Sequence, residues 1–202
     1  MNETNLTQQE SLAIIQRMIN AAKREQKDNG LGWIIWGWLL FAASAMSYIN
    51  FHTKWFSQYF FWNAFGILTL LLLFWEIIRA FWIKKKQPVK TYTGELFKKL
   101  NIGFFFTIMV IIVAMNKALN PITGFALLSG LYGFWVLIYG TLFDFKPSMI
   151  GAFVTWVCAF AGLFVKEFGH TMLLHAAGVL AGYIIPGHIA MIEFKKINRK
   201  NS

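Results

Sequence analysis

The sequence predicts an all-α, polytopic transmembrane helix bundle of six helices, preceded by an amphipathic cytoplasmic helix. Three observations predict it. Of 202 residues, 57% are apolar and only 14% charged, a balance that a soluble domain of this length does not show. Six segments approach the roughly 20 mainly apolar residues that a spanning helix needs. Unbroken runs such as Ile67 to Trp75 lack the alternation of a membrane strand, which excludes a barrel. Aromatic residues reach 18%, and such rings concentrate where helices meet lipid headgroups.

Residues 1–30 read as the cytoplasmic helix. Thr7 and Glu10 have the spacing of a capping box, and Leu12, Ile15, Met18, Ile19 and Ala22 recur on one face. Gln16, Arg17, Asn20 and Lys23 stand opposite, and Asn29-Gly30 is a natural stop. The apolar stripe suits first the inner membrane surface or the underside of the protein's own helices, and second a docking or dimerisation role in which residues 8–28 engage a partner protein or another copy of the chain. A secretory signal starts with a short basic stretch, whereas here about thirty mostly polar residues come before the first apolar run. Ala43-Ser44-Ala45 is therefore not read as a cleavage site.

The transmembrane domain is expected over 31–193, with helices near 31–51, 55–83, 102–119, 122–143, 149–165 and 171–192, followed by a basic tail over 194–202. Asn120-Pro121, Lys146-Pro147 and Lys166 to His170 supply short breaks, which make antiparallel hairpins. The one long connection, Lys84 to Asn101, is polar and basic, with Gln87-Pro88 preventing continuation of the second helix. Leu96, Phe97 and Leu100 beside Lys98 and Lys99 suit a short interfacial lead into the third helix.

Charge sets the orientation. With the N-terminus inside, sixteen of the nineteen Lys and Arg fall on the cytoplasmic side, and only Lys54, Lys117 and Lys166 fall outside. That asymmetry predicts an inner (plasma) membrane protein with both termini in the cytoplasm. The net charge of +10 does not mark a nucleic-acid binder, because the basic residues lie in gaps between apolar runs. Their expected partner is the anionic inner leaflet of the bilayer.

Polar groups within a bilayer are costly, so the few present are the candidate site residues. Glu76 and Arg79 sit three apart on one face of the second helix, near its basic end. Asn116 lies in the third helix. In the last, His170, His175 and His188 are too dispersed to share a metal, since His170 and His188 stand roughly 27 Å apart along the axis. Gly178 and Gly182 follow His175 as a GxxxG face, where a neighbouring helix approaches closely and towards which the imidazole points. His52, Glu167, His170 and His175 all fall towards the outer side. They form a candidate metal or proton site if the turns that carry them are neighbours.

Ser44, Ser47, Asn63, Thr69, Thr107, Ser129 and Thr155 complete the mild polarity, with bonding between helices as the expected role. Cys158, the lone cysteine, rules out an internal disulfide or a multi-cysteine metal site. No GxxxxGK[ST] loop, GxGxxG turn, GxSxG elbow or HExxH helix is present, and no cofactor is expected.

Trp33-Ile34-Ile35-Trp36-Gly37 echoes Tyr183-Ile184-Ile185-Pro186-Gly187, a faint sign of an inverted repeat of three helices. The leading functional reading is a non-enzymatic membrane scaffold or regulatory module that works through its cytoplasmic face. A small-solute or ion transporter is the alternative, and a membrane enzyme built on the outer histidines is the third.

Overall fold

The computed structural model describes residue 12, residues 29–82 and residues 92–199. Every regular element among them is helical: α1 (Leu31–Thr53), α2 (Phe60–Trp82), α3 (Tyr92–Lys117), α4 (Pro121–Leu142), α5 (Lys146–Gly162), α6 (Phe168–Val179) and α7 (Ile185–Arg199). One π-helical turn, Leu180–Ile184, joins α6 to α7 without a break, so the bundle has six rods. The N-terminal helix expected over residues 8–28 lies outside the described residues except for Leu12, which is helical and exposed.

The chain is a multi-pass helical membrane protein. Four stretches are long and apolar enough to cross a bilayer: Leu31–Thr53, Gly94–Lys117, Pro121–Leu142 and Phe168–Lys196. The apolar run of α2 includes Phe60–Leu72, and α5 has 17 residues, about 26 Å of helix.

Local chemistry explains most of the ends. Asn120 caps α4 by accepting from the Ile122 N–H at 2.9 Å, with Pro121 in the first turn, where its missing N–H costs nothing. Pro147 opens α5 in the same way. Between α1 and α2 a single amide organises the turn. Asn50 donates to the carbonyls of Phe56 and Ser57, both at 3.1 Å, and accepts from the Phe56 N–H at 2.8 Å. Gly30 enters α1 with φ +72° and lies against the Gly187 carbonyl, a place where a side chain is excluded twice over.

Two expectations change. The third helix begins at Tyr92 rather than near Ile102, so half of the expected polar connection is helix. Glu95 sits in its first turn, favourably placed on the helix dipole, and Phe97 stacks on Trp135 at 4.9 Å, which holds this charged turn against α4. The last helix does not stop near Ile192 but continues to Arg199. Pro186 does not end it, because the preceding turn widens and the Ile185 N–H reaches back five residues to the Leu180 carbonyl.

Packing divides the rods into a core and two arms. α6, its π turn and α7 form the central rod, which touches α1, α4 and α5, and α4 pairs closely with α5. Among the described residues, α1 and α4 flank the central rod without backbone contact with each other. Likewise the backbone of α2 rests on α1 and that of α3 on α4, with no backbone contact between α2 and α3 among the described residues. The core comprises Leu40, Phe125, Leu128, Tyr132, Val136, Ala152, Phe168, Met172, Val179 and Tyr183.

Candidate functional site

The deepest polar centre of the bundle joins α1 to α6. His175 is 2% exposed, and its Nδ1 lies 2.8 Å from the Ser44 hydroxyl oxygen. Ser44, fully buried, also donates to the carbonyl of Leu40 at 2.8 Å, one turn back on its own helix. The small Ser44 side chain is what lets α6 approach, and the α1–α6 crossing brings together residues 131 apart in sequence.

Three aromatic rings enclose the remainder of the imidazole. Trp62 of α2 lies at 5.3 Å between ring centroids and 88°, Phe125 of α4 at 5.8 Å and 85°, and Tyr132 of α4 at 5.6 Å and 71°. All three are edge-to-face, the favoured geometry for rings with opposed quadrupoles. Trp62 crosses from α2 to pack against Phe125 at 4.6 Å between ring centroids, tilted by 50°, and its indole N–H donates to the Met172 sulfur at 3.1 Å. A thioether is a weak acceptor, so this indole is held mainly by its ring contacts.

Three buried side-chain atoms find no hydrogen-bond partner among the described residues: His175 Nε2, Ser47 Oγ and Thr69 Oγ1. They belong to α6, α1 and α2 respectively.

A second polar junction is structural. Thr155 of α5 lies 2.8 Å from the Gly151 carbonyl and 2.9 Å from the Gly178 carbonyl across the interface. Gly178 faces Thr155 and Cys158, and a Cβ on Gly182 would lie 2.7 Å from the Thr155 hydroxyl, so α5 is the helix seated on this glycine face. A Cβ on Gly151 would strike the Ala181 carbonyl, which the π turn brings forward.

The other expected site residues are spread out. His52 packs edge-on against Tyr48 at 4.8 Å and Phe51 at 5.4 Å. His170 pairs with Glu167 at 3.2 Å, both side chains about 60% exposed, while His175 lies buried apart from them. Among the described residues, no group of three or more His, Cys, Asp or Glu could hold a metal ion. Asn116 is exposed and donates to the Ile112 carbonyl of its own helix at 2.8 Å. Arg79 and His188 are exposed, and the side chain of Glu76 falls outside what the structure describes. Of the mild polar groups expected to bond between helices, Ser44 and Thr155 do so, whereas Thr107 and Ser129 bond back to their own helices.

Sequence reasoning missed Trp62 and Met172, which carry no local pattern. It also missed a legible signal: Ala126, Gly133 and Gly140 recur at intervals of seven on α4, as do Ala152 and Ala159 on α5. Such spacing makes a seam of small residues on one face, and these residues line the α4–α5 interface. No protein-family model, curated protein or solved structure matches this chain.

Proposed function

We propose that this protein crosses the inner (plasma) membrane six times with both ends in the cytoplasm, and that it serves as a non-enzymatic scaffold or regulatory module. The observation that carries this reading is the character of the interior. The buried polar residues are Ser44, Ser47, Asn50, Ser129, Ser148, Thr155, Thr171 and His175, with no Asp, Glu, Lys or Arg among the described buried residues. Coupled transport commonly relies on a buried carboxylate at depth, and covalent catalysis needs an activated nucleophile. A centre with no buried carboxylate, amine or guanidinium among the described residues favours neither.

The cytoplasmic assignment rests on the sixteen-to-three distribution of Lys and Arg. The working surface is then the amphipathic segment 8–28, with the basic connection and the tail beside it against anionic lipid or a partner protein. Removal of residues 1–28 will abolish co-purification of that partner or shift the oligomeric state. An unchanged assembly would count decisively against the reading. Orientation is checked with single cysteines introduced into a Cys158→Ala background: a reagent that does not cross the membrane will label position 54 or 166 in intact cells and leave position 85 or 199 unlabelled.

The transporter alternative draws on one observation, the π turn ahead of Pro186 in the central rod. Interrupted helices expose backbone carbonyls of the kind that bind cations at the midplane. Water-accessible cysteines at positions 44, 155 and 178 are what that reading requires.

A further inference from the structure

We infer that the crevice between α1 and α4, floored by α6, binds a lipid-soluble molecule that carries a planar ring with a carbonyl or hydroxyl, of the quinone class, with His175 Nε2 as its hydrogen-bonding partner.

The crevice follows from the helix arrangement. α1 and α4 both rest on α6 and, among the described residues, make no backbone contact with each other. The space between them is filled by rings rather than backbone. α2 and α3 likewise make no backbone contact with each other among the described residues, so neither backbone closes the outer side of the crevice, which in a membrane-spanning bundle meets lipid. Its cover at the His175 level is Trp62. That indole comes from a helix whose backbone, among the described residues, approaches only α1, and its N–H is matched with a thioether. Trp62 is thus the lining group most easily displaced, and its ring already shows the shape that the slot accepts.

The polar chemistry points the same way. An unpartnered polar atom in the apolar interior is costly, and here His175 Nε2 is one, on the imidazole that Trp62 covers at 5.3 Å between ring centroids. Ser44 has a single hydroxyl proton and two acceptors within 2.8 Å, the Leu40 carbonyl and His175 Nδ1. When that proton goes to Leu40, Nδ1 carries its own hydrogen and Nε2 is a bare acceptor, suited to a quinol hydroxyl. When the hydroxyl rotates to Nδ1, Nε2 carries the hydrogen and suits a quinone carbonyl. One rotor therefore matches the site to both members of the pair, with no redox step required of the protein.

Depth decides against an ordinary glycerolipid. His175 lies seven residues inside the start of α6, about 10 Å along the axis, and Ser44 nine residues from the end of α1, about 14 Å. Phospholipid headgroups sit at the interface, whereas a quinone ring resides within the hydrocarbon. This inference stands independently of whether residues 8–28 dock a partner.

The test uses the full chain in detergent micelles, titrated with a decyl-chain benzoquinone and separately with its quinol. Tryptophan fluorescence and thermal stability are the readouts. Saturable quenching and a rise in Tm are expected for both forms. His175→Phe keeps the ring and removes the nitrogens, and it should weaken binding at least tenfold while eluting as the native species. Trp62→Phe should bind at least as tightly as the native chain. Linear, non-saturable quenching equal to that of tryptophan in empty micelles would overturn the inference, as would an unchanged affinity in His175→Phe. If that variant does not fold, Ser44→Ala gives the discriminating result, because it removes the rotor and should separate the affinities for quinone and quinol. Equal affinities in Ser44→Ala would remove the rotor argument. Competition by a long-chain aliphatic ketone as strong as that of the quinone would overturn the ring class.

Discussion

The α4–α5 hairpin and the α2 and α3 arms are built from similarly apolar sequence, yet they are held in opposite ways. The hairpin buries a seam of small residues. Gly133 sits against the Trp156 ring and the Ala152 carbonyl, Gly140 against Met149 and Phe145, and Gly162 against Ala126, while Trp156 donates to the Gly130 carbonyl at 3.0 Å. The arms instead turn large side chains outward. Ile67, Leu70 and Phe74 on α2 and Phe106, Met109 and Val110 on α3 are each more than 60% exposed. In lipid, large apolar surface gains nothing by leaving the solvent, so close backbone approach rather than hydrophobicity decides which helices hold together.

The largest effect should come from filling the seam. Gly151→Leu drives a side chain into the Ala181 carbonyl and the Gly182 backbone, where no flexible side chain can yield. A loss of about 2–3 kcal/mol is expected, read as failure to elute as a single species and a collapse in Tm.

A smaller loss tests the bond across α1 and α6. In a double-mutant cycle of Ser44→Ala and His175→Phe, a coupling of about 0.6–1.7 kcal/mol by reversible detergent unfolding is expected, the range found for hydrogen bonds between membrane helices. Additive losses would mean that the two side chains fit together without a stabilising bond. Thr155→Val removes the donor that reaches the Gly178 carbonyl across the interface and should cost about 0.6 kcal/mol in the same assay. Phe106→Ala and Leu70→Ala, on the arms, should stay within about 0.5 kcal/mol of the native chain. A loss above 2 kcal/mol at either arm position would erase the contrast and place a second protein surface, rather than lipid, against it.

The helical rods were legible because apolar runs and prolines are local. Asn120-Pro121 and Lys146-Pro147 mark real helix starts. The start of α3 was not, since Lys98 and Lys99 read as a loop, and only the stacking of Phe97 on Trp135 from another helix makes that charged turn regular. The π turn was hidden for a related reason. Pro186 lacks an N–H in any conformation, but whether the chain then breaks or widens depends on what packs around it, here Gly151 and Thr155 of α5.

Within the candidate site, the Gly178 and Gly182 spacing flagged a closely packed face beside His175, while Ser44 as its partner lay beyond local pattern. A serine in an apolar run bonds its own helix as readily as another, and Ser44 does both. Trp62 is one of nine tryptophans, and nothing in its neighbours says that it reaches the centre.

The pairing of the first spanning rod with the last also has a consequence for how the protein is made. Ser44 is synthesised 131 residues before His175. At translation rates of about 5–20 residues per second, α1 waits roughly ten seconds in the membrane for its principal neighbour. During that interval its one backbone neighbour among the described residues is α2, held through the Asn50 turn, with the Trp33 ring against Tyr139 of α4 as a further contact. A chain truncated before Phe168 would therefore lose more than its final helix. Its first crossing would have no seat, and quality-control proteases would meet an unassembled α1–α2 hairpin with its buried serines turned to lipid.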